Sequence, residues 1–135
     1  MSTLVTATVK SNSSSPVAFQ NSSGTEIGTL CRAWVNFNGT FATSPFTTAN
    51  GGIRAAFNVS SITDNDVGNY TVNLTNAMSD TNYAAIASTS DNATLCGVSP
   101  ARETKTSSTF SIITREVAGS GNRYDPTQVS ASVFA

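Results

Sequence analysis

Leu30-Cys-Arg-Ala-Trp-Val-Asn-Phe37 decides the fold, because Cys31, Ala33, Val35 and Phe37 fall on one side of an extended chain and Leu30, Arg32, Trp34 and Asn36 on the other. A period of two marks a β-strand, in which successive side chains point to opposite faces. Both sides carry large apolar groups, so this strand is expected to be covered on each face. Trp34 then belongs to the core or to a subunit contact, where Trp and Arg carry much of the binding energy; the core is the stronger expectation.

The same period runs outward from this strand. Ile53, Ala55, Phe57 and Val59 alternate with Arg54, Ala56 and Asn58, which predicts one half-buried strand continuing to Ile62. Asp64-Asn-Asp-Val-Gly68 is a turn that leads into Tyr70, Val72 and Leu74, alternating with Asn69, Thr71 and Asn73, and the pair reads as a hairpin. Tyr83–Ser88, Ala93–Val98, Thr109–Glu116 and Thr127–Phe134 read as further strands, and Gly119–Pro126 as a loop. Phe41 and Phe46 interrupt the polar loop Thr40–Ala49 and must pack somewhere. At the start, Val5, Ala7 and Val9 alternate with Thr6 and Thr8 before Ser11-Asn-Ser-Ser-Ser-Pro16 breaks regular structure. Short strands at a spacing of roughly 8–12 residues predict an all-β fold, a β-sandwich of about eight antiparallel strands. Residues 1–23 are expected to form an extended N-terminal arm or edge strand, and residues 24–135 the sandwich.

At 135 residues the chain makes one domain. Its surface is unusual: 20 Ser, 20 Thr and 13 Asn stand against 11% charged residues, and the net charge is -1. Without clustered Lys and Arg there is no electrostatic footprint for nucleic acid. There is no run of about 18 apolar residues to form a membrane helix, and the first ten residues do not read as a secretory signal; no membrane partner is expected. Sheet edges need charge, Pro or a partner chain to cover them. With charges so few, a symmetric oligomer is the expected protection.

The chain has no His, which removes the commonest general base and metal ligand. A serine nucleophile therefore lacks its usual base, and Lys10 and Lys105 sit in polar segments. Asp64, Asn65 and Asp66 offer oxygens of the kind calcium takes, but the acidic positions of a full cage are missing and a tight turn prefers the same residues. Asp125, between Tyr124 and Pro126, reads as a turn acceptor. Glycoside cleavage would need two of Asp64, Asp66, Asp80, Asp91, Asp125, Glu26, Glu103 and Glu116 to converge in a cleft. Cys31 and Cys96 match no metal motif, and their apolar contexts favour free, buried thiols over a bridge. Asn12, Asn21, Asn38, Asn58, Asn69, Asn73 and Asn92 open glycosylation sequons, which this abundance of Ser, Thr and Asn yields by chance. Tyr70, Tyr83 and Tyr124, with loop Asn and Asp, are candidates for stacking on a saccharide. No catalytic, cofactor-binding or metal-binding residue is assigned, and no enzyme is expected.

Leu30–Thr40, Ile53–Asp64, Gly68–Leu74 and Met78–Tyr83, taken in order, resemble a module of tailed-phage virion proteins found at the distal ends of tail fibres and tailspikes. The likeness covers residues 24–88 well and the C-terminal third loosely. It implies a phage particle, a β-rich fold and a homotrimer, with no catalytic or cofactor residues. A fibre has a long shaft, whereas here the module starts about 24 residues after Met1. A module carried on a short arm is similar instead to a capsid decoration (cement) protein, a trimer on the outer surface of the virion head. The partners implied are the chain itself and the major capsid protein, with host surface polysaccharide touched by exposed loops. The alternative is a small receptor-binding tail-fibre or tailspike-tip protein recognising bacterial surface polysaccharide.

Overall fold

The computed structural model describes residues 17, 19–90, 96–100, 105–117 and 121–135, and for 96–100 the backbone alone. Among the described residues ten strands follow one another: β1 Phe19–Gln20, β2 Glu26–Gly28, β3 Cys31–Phe37, β4 Ile53–Phe57, β5 Val59–Asp66, β6 Asn69–Leu74, β7 Ala84–Ser90, β8 Cys96–Pro100, β9 Thr109–Glu116 and β10 Gln128–Phe134. Eight of them form two four-stranded sheets, ordered β4-β3-β10-β7 and β5-β6-β9-β8, and β1 pairs with β2 in a separate ribbon. Every pairing is antiparallel, and the described residues contain no helix. The expected all-β sandwich is the fold. Most of the arm 1–23, with its Val5–Val9 strand, Lys10 and the Asn12 sequon, lies outside the described residues, as do Asp91, Asn92, Glu103 and the Cys96 side chain.

Alternation builds the core. Ala33, Val35 and Phe37 of β3 and Val129, Ala131 and Val133 of β10 point inward from the first sheet; Tyr70, Val72 and Leu74 of β6 and Phe110 and Ile112 of β9 point inward from the second. The layers meet through aromatic edges. Tyr70 stands edge-on to Phe37 with centroids 5.1 Å apart, the preferred geometry for rings whose faces are negative and edges positive. The two loop phenylalanines do pack: Phe46 is fully buried, Phe41 meets it edge-on at 5.6 Å, and the Phe46 backbone exchanges hydrogen bonds with Ile62. The Asp64–Gly68 hairpin also forms, with β5 paired to β6. Gly68 turns at a φ of 61°, and a Cβ there would lie 2.5 Å from the Thr114 carbonyl oxygen, so no other residue fits this turn.

Three expectations are corrected. The strand read from Ile53 to Ile62 is two strands in different sheets, broken at Asn58, whose φ is 56°. Asn tolerates that left-handed conformation, and the side chain holds the corner: Nδ2 donates to Arg32 O (3.0 Å) and Asn76 O (3.1 Å), while Oδ1 accepts from Asn76 N at 2.7 Å. Secondly, β3 is covered on one face only, because its even-numbered side lies on the outside of the first sheet with Leu30 and Trp34 exposed. Trp34 is therefore not core. Thirdly, Cys31 is a free thiol as read, but half-buried, its Sγ 3.2 Å from Ala33 O.

Candidate functional site

Three places gather the residues singled out from the sequence. The first is one end of the sandwich, where Asp125 Oδ1 accepts from Gly68 N at 2.6 Å and from the Tyr70 hydroxyl at 2.5 Å. This ties the loop before β10 to the β5–β6 hairpin. Burial, reinforced by the Asp125 carboxylate it bonds, pushes the Tyr70 phenol well above its ordinary range. Asp64 lies nearby, its carboxyl raised first by burial and then by the charge of Asp125, and its Oδ1 is buried with no hydrogen-bond partner. Asp66 bonds the neighbouring Val67 N at 2.8 Å and faces Arg123 at 3.9 Å across exposed surface. Among the described residues no group of three His, Cys, Asp or Glu is placed to hold a metal ion. Asp125 is thus an acceptor, as read, but across two loops rather than within its own turn. The arrangement braces the fold.

The tyrosines proposed for saccharide stacking are the second group, and two of them are corrected. Tyr70 and Tyr83 are buried. The Tyr83 hydroxyl donates to Thr106 O (2.8 Å) and Thr109 O (2.9 Å), and Lys105 Nζ donates to Tyr83 O while sitting 4.7 Å from the ring centroid. Neither ring offers a face to a sugar, and Tyr124 is half-buried. Sequon asparagines likewise serve the fold: Asn38 Oδ1 accepts from Thr40, Asn58 holds its corner, and Asn73 Nδ2 donates to Thr63 Oγ1 at 3.0 Å.

The third place is the outer face of the β4-β3-β10-β7 sheet. Residues opposite one another in a ladder share a face, and the register aligns Phe57, Trp34, Ser132 and Ile86 in one row across all four strands. Phe57 is 55% exposed, Trp34 41% and Ile86 59%. The next row is Ala55, Asn36, Ser130 and Ser88. The small serines of β10 leave a shallow groove of about 230 Å³ between Trp34 and Ile86. None of the four strands contains Asp or Glu. Arg32 lies at one end of the face and Arg54 at the other, the latter bonded to Thr127 O at 2.6 Å and Phe37 O at 3.0 Å. Beyond Phe57 a cleft of about 530 Å³ opens between Leu30, Arg32, Asn58 and Asn76 of the sandwich and Val17 and Thr29, which flank the β1–β2 ribbon.

Across β5 and β6 the other sheet's outer face is polar: Asn65 Nδ2 donates to Thr71 Oγ1 at 2.9 Å, and Asn73 reaches Ser61 and Thr63. A lone exposed apolar residue signifies little, but an aligned row without acidic groups is a candidate interaction surface. Sequence reading missed Phe57 and Ile86, because alternation assigns a side chain to a face without saying which faces line up. What the fold and this surface define is an all-β sandwich whose first sheet carries an exposed apolar row on its outer face. Comparison with protein-family models, curated proteins and solved structures finds no match for this chain.

Proposed function

We propose that the protein is a bacteriophage virion structural protein, a homotrimer that decorates the outer surface of the head and stabilises the shell by non-covalent contact with sister subunits and the major capsid protein. The observation that carries this reading is the aligned row Phe57, Trp34 and Ile86 on a sheet face with no acidic side chain. The segments resembling the phage module support it from the sequence side, since Leu30–Thr40 supplies β3, Ile53–Asp64 supplies β4 and most of β5, and Gly68–Leu74 supplies β6. A protein that binds the assembled shell and not its free parts shifts the equilibrium towards assembly. At about 25 cal/mol per Å² of apolar area, a modest contact repeated over a capsid is sufficient. The reading needs no catalytic group, no cofactor and no nucleic acid. Ser/Thr/Asn-rich loops are left to touch host polysaccharide.

Purified protein added to capsids that lack it should bind at many copies per shell and raise the temperature at which the shell comes apart. Mass-spectrometric counting of virion proteins separates this from the tail-tip alternative. Hundreds of copies per particle fit the head; a dozen or so move the protein to the tail, and absence from the particle ends both readings.

A further inference from the structure

Among the described residues, the β1–β2 ribbon gains no strand partner from its own sandwich. Its strands are two and three residues long, it pairs with no other strand, and all of its residues are exposed. An isolated two-stranded ribbon is marginal in water and needs a further strand or a packed face. Yet its turn is well made: Asn21 Oδ1 accepts from Ser23 N and Thr25 N, Gly24 N donates to Asn21 O, and Gly24 takes a φ of 78°. Phe19 is 48% exposed, and Ile27, the extra residue where the register shifts, is 67% exposed. Thr29 and Leu30 join the ribbon to β3, with Thr29 Oγ1 donating to Ala135 O at 2.8 Å. The flanking Val17 and Thr29 line the cleft beside Phe57, while the row Trp34, Phe57 and Ile86 of the same subunit stays exposed.

Charge says what the ribbon fits. Between Val17 and Leu30 the one charged residue is Glu26, whereas the open face carries Arg32 and Arg54 and no acid. Apolar area matches apolar area, and the signs at the margins are opposite.

We propose that the β1–β2 ribbon of one copy docks on the outer face of the β4-β3-β10-β7 sheet of the next, placing Phe19 and Ile27 over the groove between Trp34 and Ile86 and turning Glu26 towards an arginine at the margin of that face. The contact deepens the trimeric reading above and rests on it. It is heterologous, ribbon to face, and such contacts close into rings when the rotation allows; three copies give a ring with every ribbon and every face covered.

The test uses the full chain. Ile27→Lys sets a cation on a face whose charged strand residues are all arginines, and Ile86→Glu sets a charge beneath Phe19 and Ile27; both positions are exposed, so the subunit fold should survive, as circular dichroism will report. Sedimentation equilibrium should find the wild type trimeric and each variant shifted to monomer at the same concentration. Separately, with Cys31→Ser and Cys96→Ser as background, Ile27→Cys combined with Ser132→Cys should give disulfide-linked trimers on mild oxidation without disturbing the fold. A trimeric wild type whose Ile27→Lys or Ile86→Glu variant stays trimeric, or whose cysteine pair fails to link subunits, overturns this contact and leaves the trimer intact. A monomeric wild type overturns the trimer itself.

Discussion

Tyr70 joins core and loops in one side chain: its ring packs against Phe37 and its hydroxyl reaches Asp125. Tyr70→Phe keeps the ring and removes the proton. Asp125 Oδ1 then retains Gly68 N and loses its phenol partner, so the substitution should cost about 1–3 kcal/mol, the usual penalty for a deprived buried group. A denaturant melt that superimposes on the wild type would show that the brace contributes nothing. Asp64 supplies the opposite sign. Its carboxyl is raised above 3.8 by burial and by Asp125, so folding favours the protonated form. The stability linked to this group is fully present below pH 3.8 and is lost as pH rises through the raised value. Asp64→Asn should accordingly match or exceed the wild type in stability at pH 7, with the difference shrinking in acid. Melts of both proteins across that range check it, and a variant weaker at pH 7 but equal in acid contradicts it.

At the scale of the element, Asn58 governs how one apparent strand becomes two. Asn58→Gly keeps access to a φ of 56° but loses the bonds to Arg32 O and Asn76, whereas Asn58→Ala loses the bonds and strains the backbone as well. Ala should be worse than Gly by about 1–2 kcal/mol, the cost of a left-handed Cβ; equal urea midpoints would mean that the corner relaxes. This corner also marks where the sequence stops being legible. β6 is readable because its whole apolar set lies on one face, β9 and β10 because most of theirs does, and the Asp64–Gly68 turn because its residues suit few other conformations. Across Asn58 the alternation hardly falters, so nothing in the period of two announces that the chain leaves one sheet for the other. β3 misleads in a second way. Large residues on both faces can mean cover on both faces, or one face in the core and one awaiting another molecule, and sequence periodicity is identical in the two cases. The buried tyrosines were misjudged for a related reason: a Tyr in a strand and a Tyr on a loop look alike until the partner of its hydroxyl is known.

At the scale of the whole molecule, the two outer faces of the sandwich differ in what they leave exposed. On the second sheet, Asn65, Asn73, Thr63 and Thr71 bond one another and their neighbours across β5 and β6. The face with Trp34, Phe57 and Ile86 is stable in solution only at a hydrophobic cost, and that cost is removed when another surface covers it. Trp34→Ala separates the two roles that a tryptophan can play. In a core the substitution would cost about 3–5 kcal/mol in any state of assembly. At 41% exposure the isolated subunit should lose much less, and the deficit should appear in association. Melting temperature should therefore rise with protein concentration for the wild type, because the folded subunit is drawn into an oligomer by mass action. For Trp34→Ala it should stay flat across the same concentrations, converging on the wild type at high dilution. If the variant instead melts far below the wild type even when dilute, the ring is holding its own subunit together and the face is not an interface; if both proteins respond equally to concentration, association runs through some other surface.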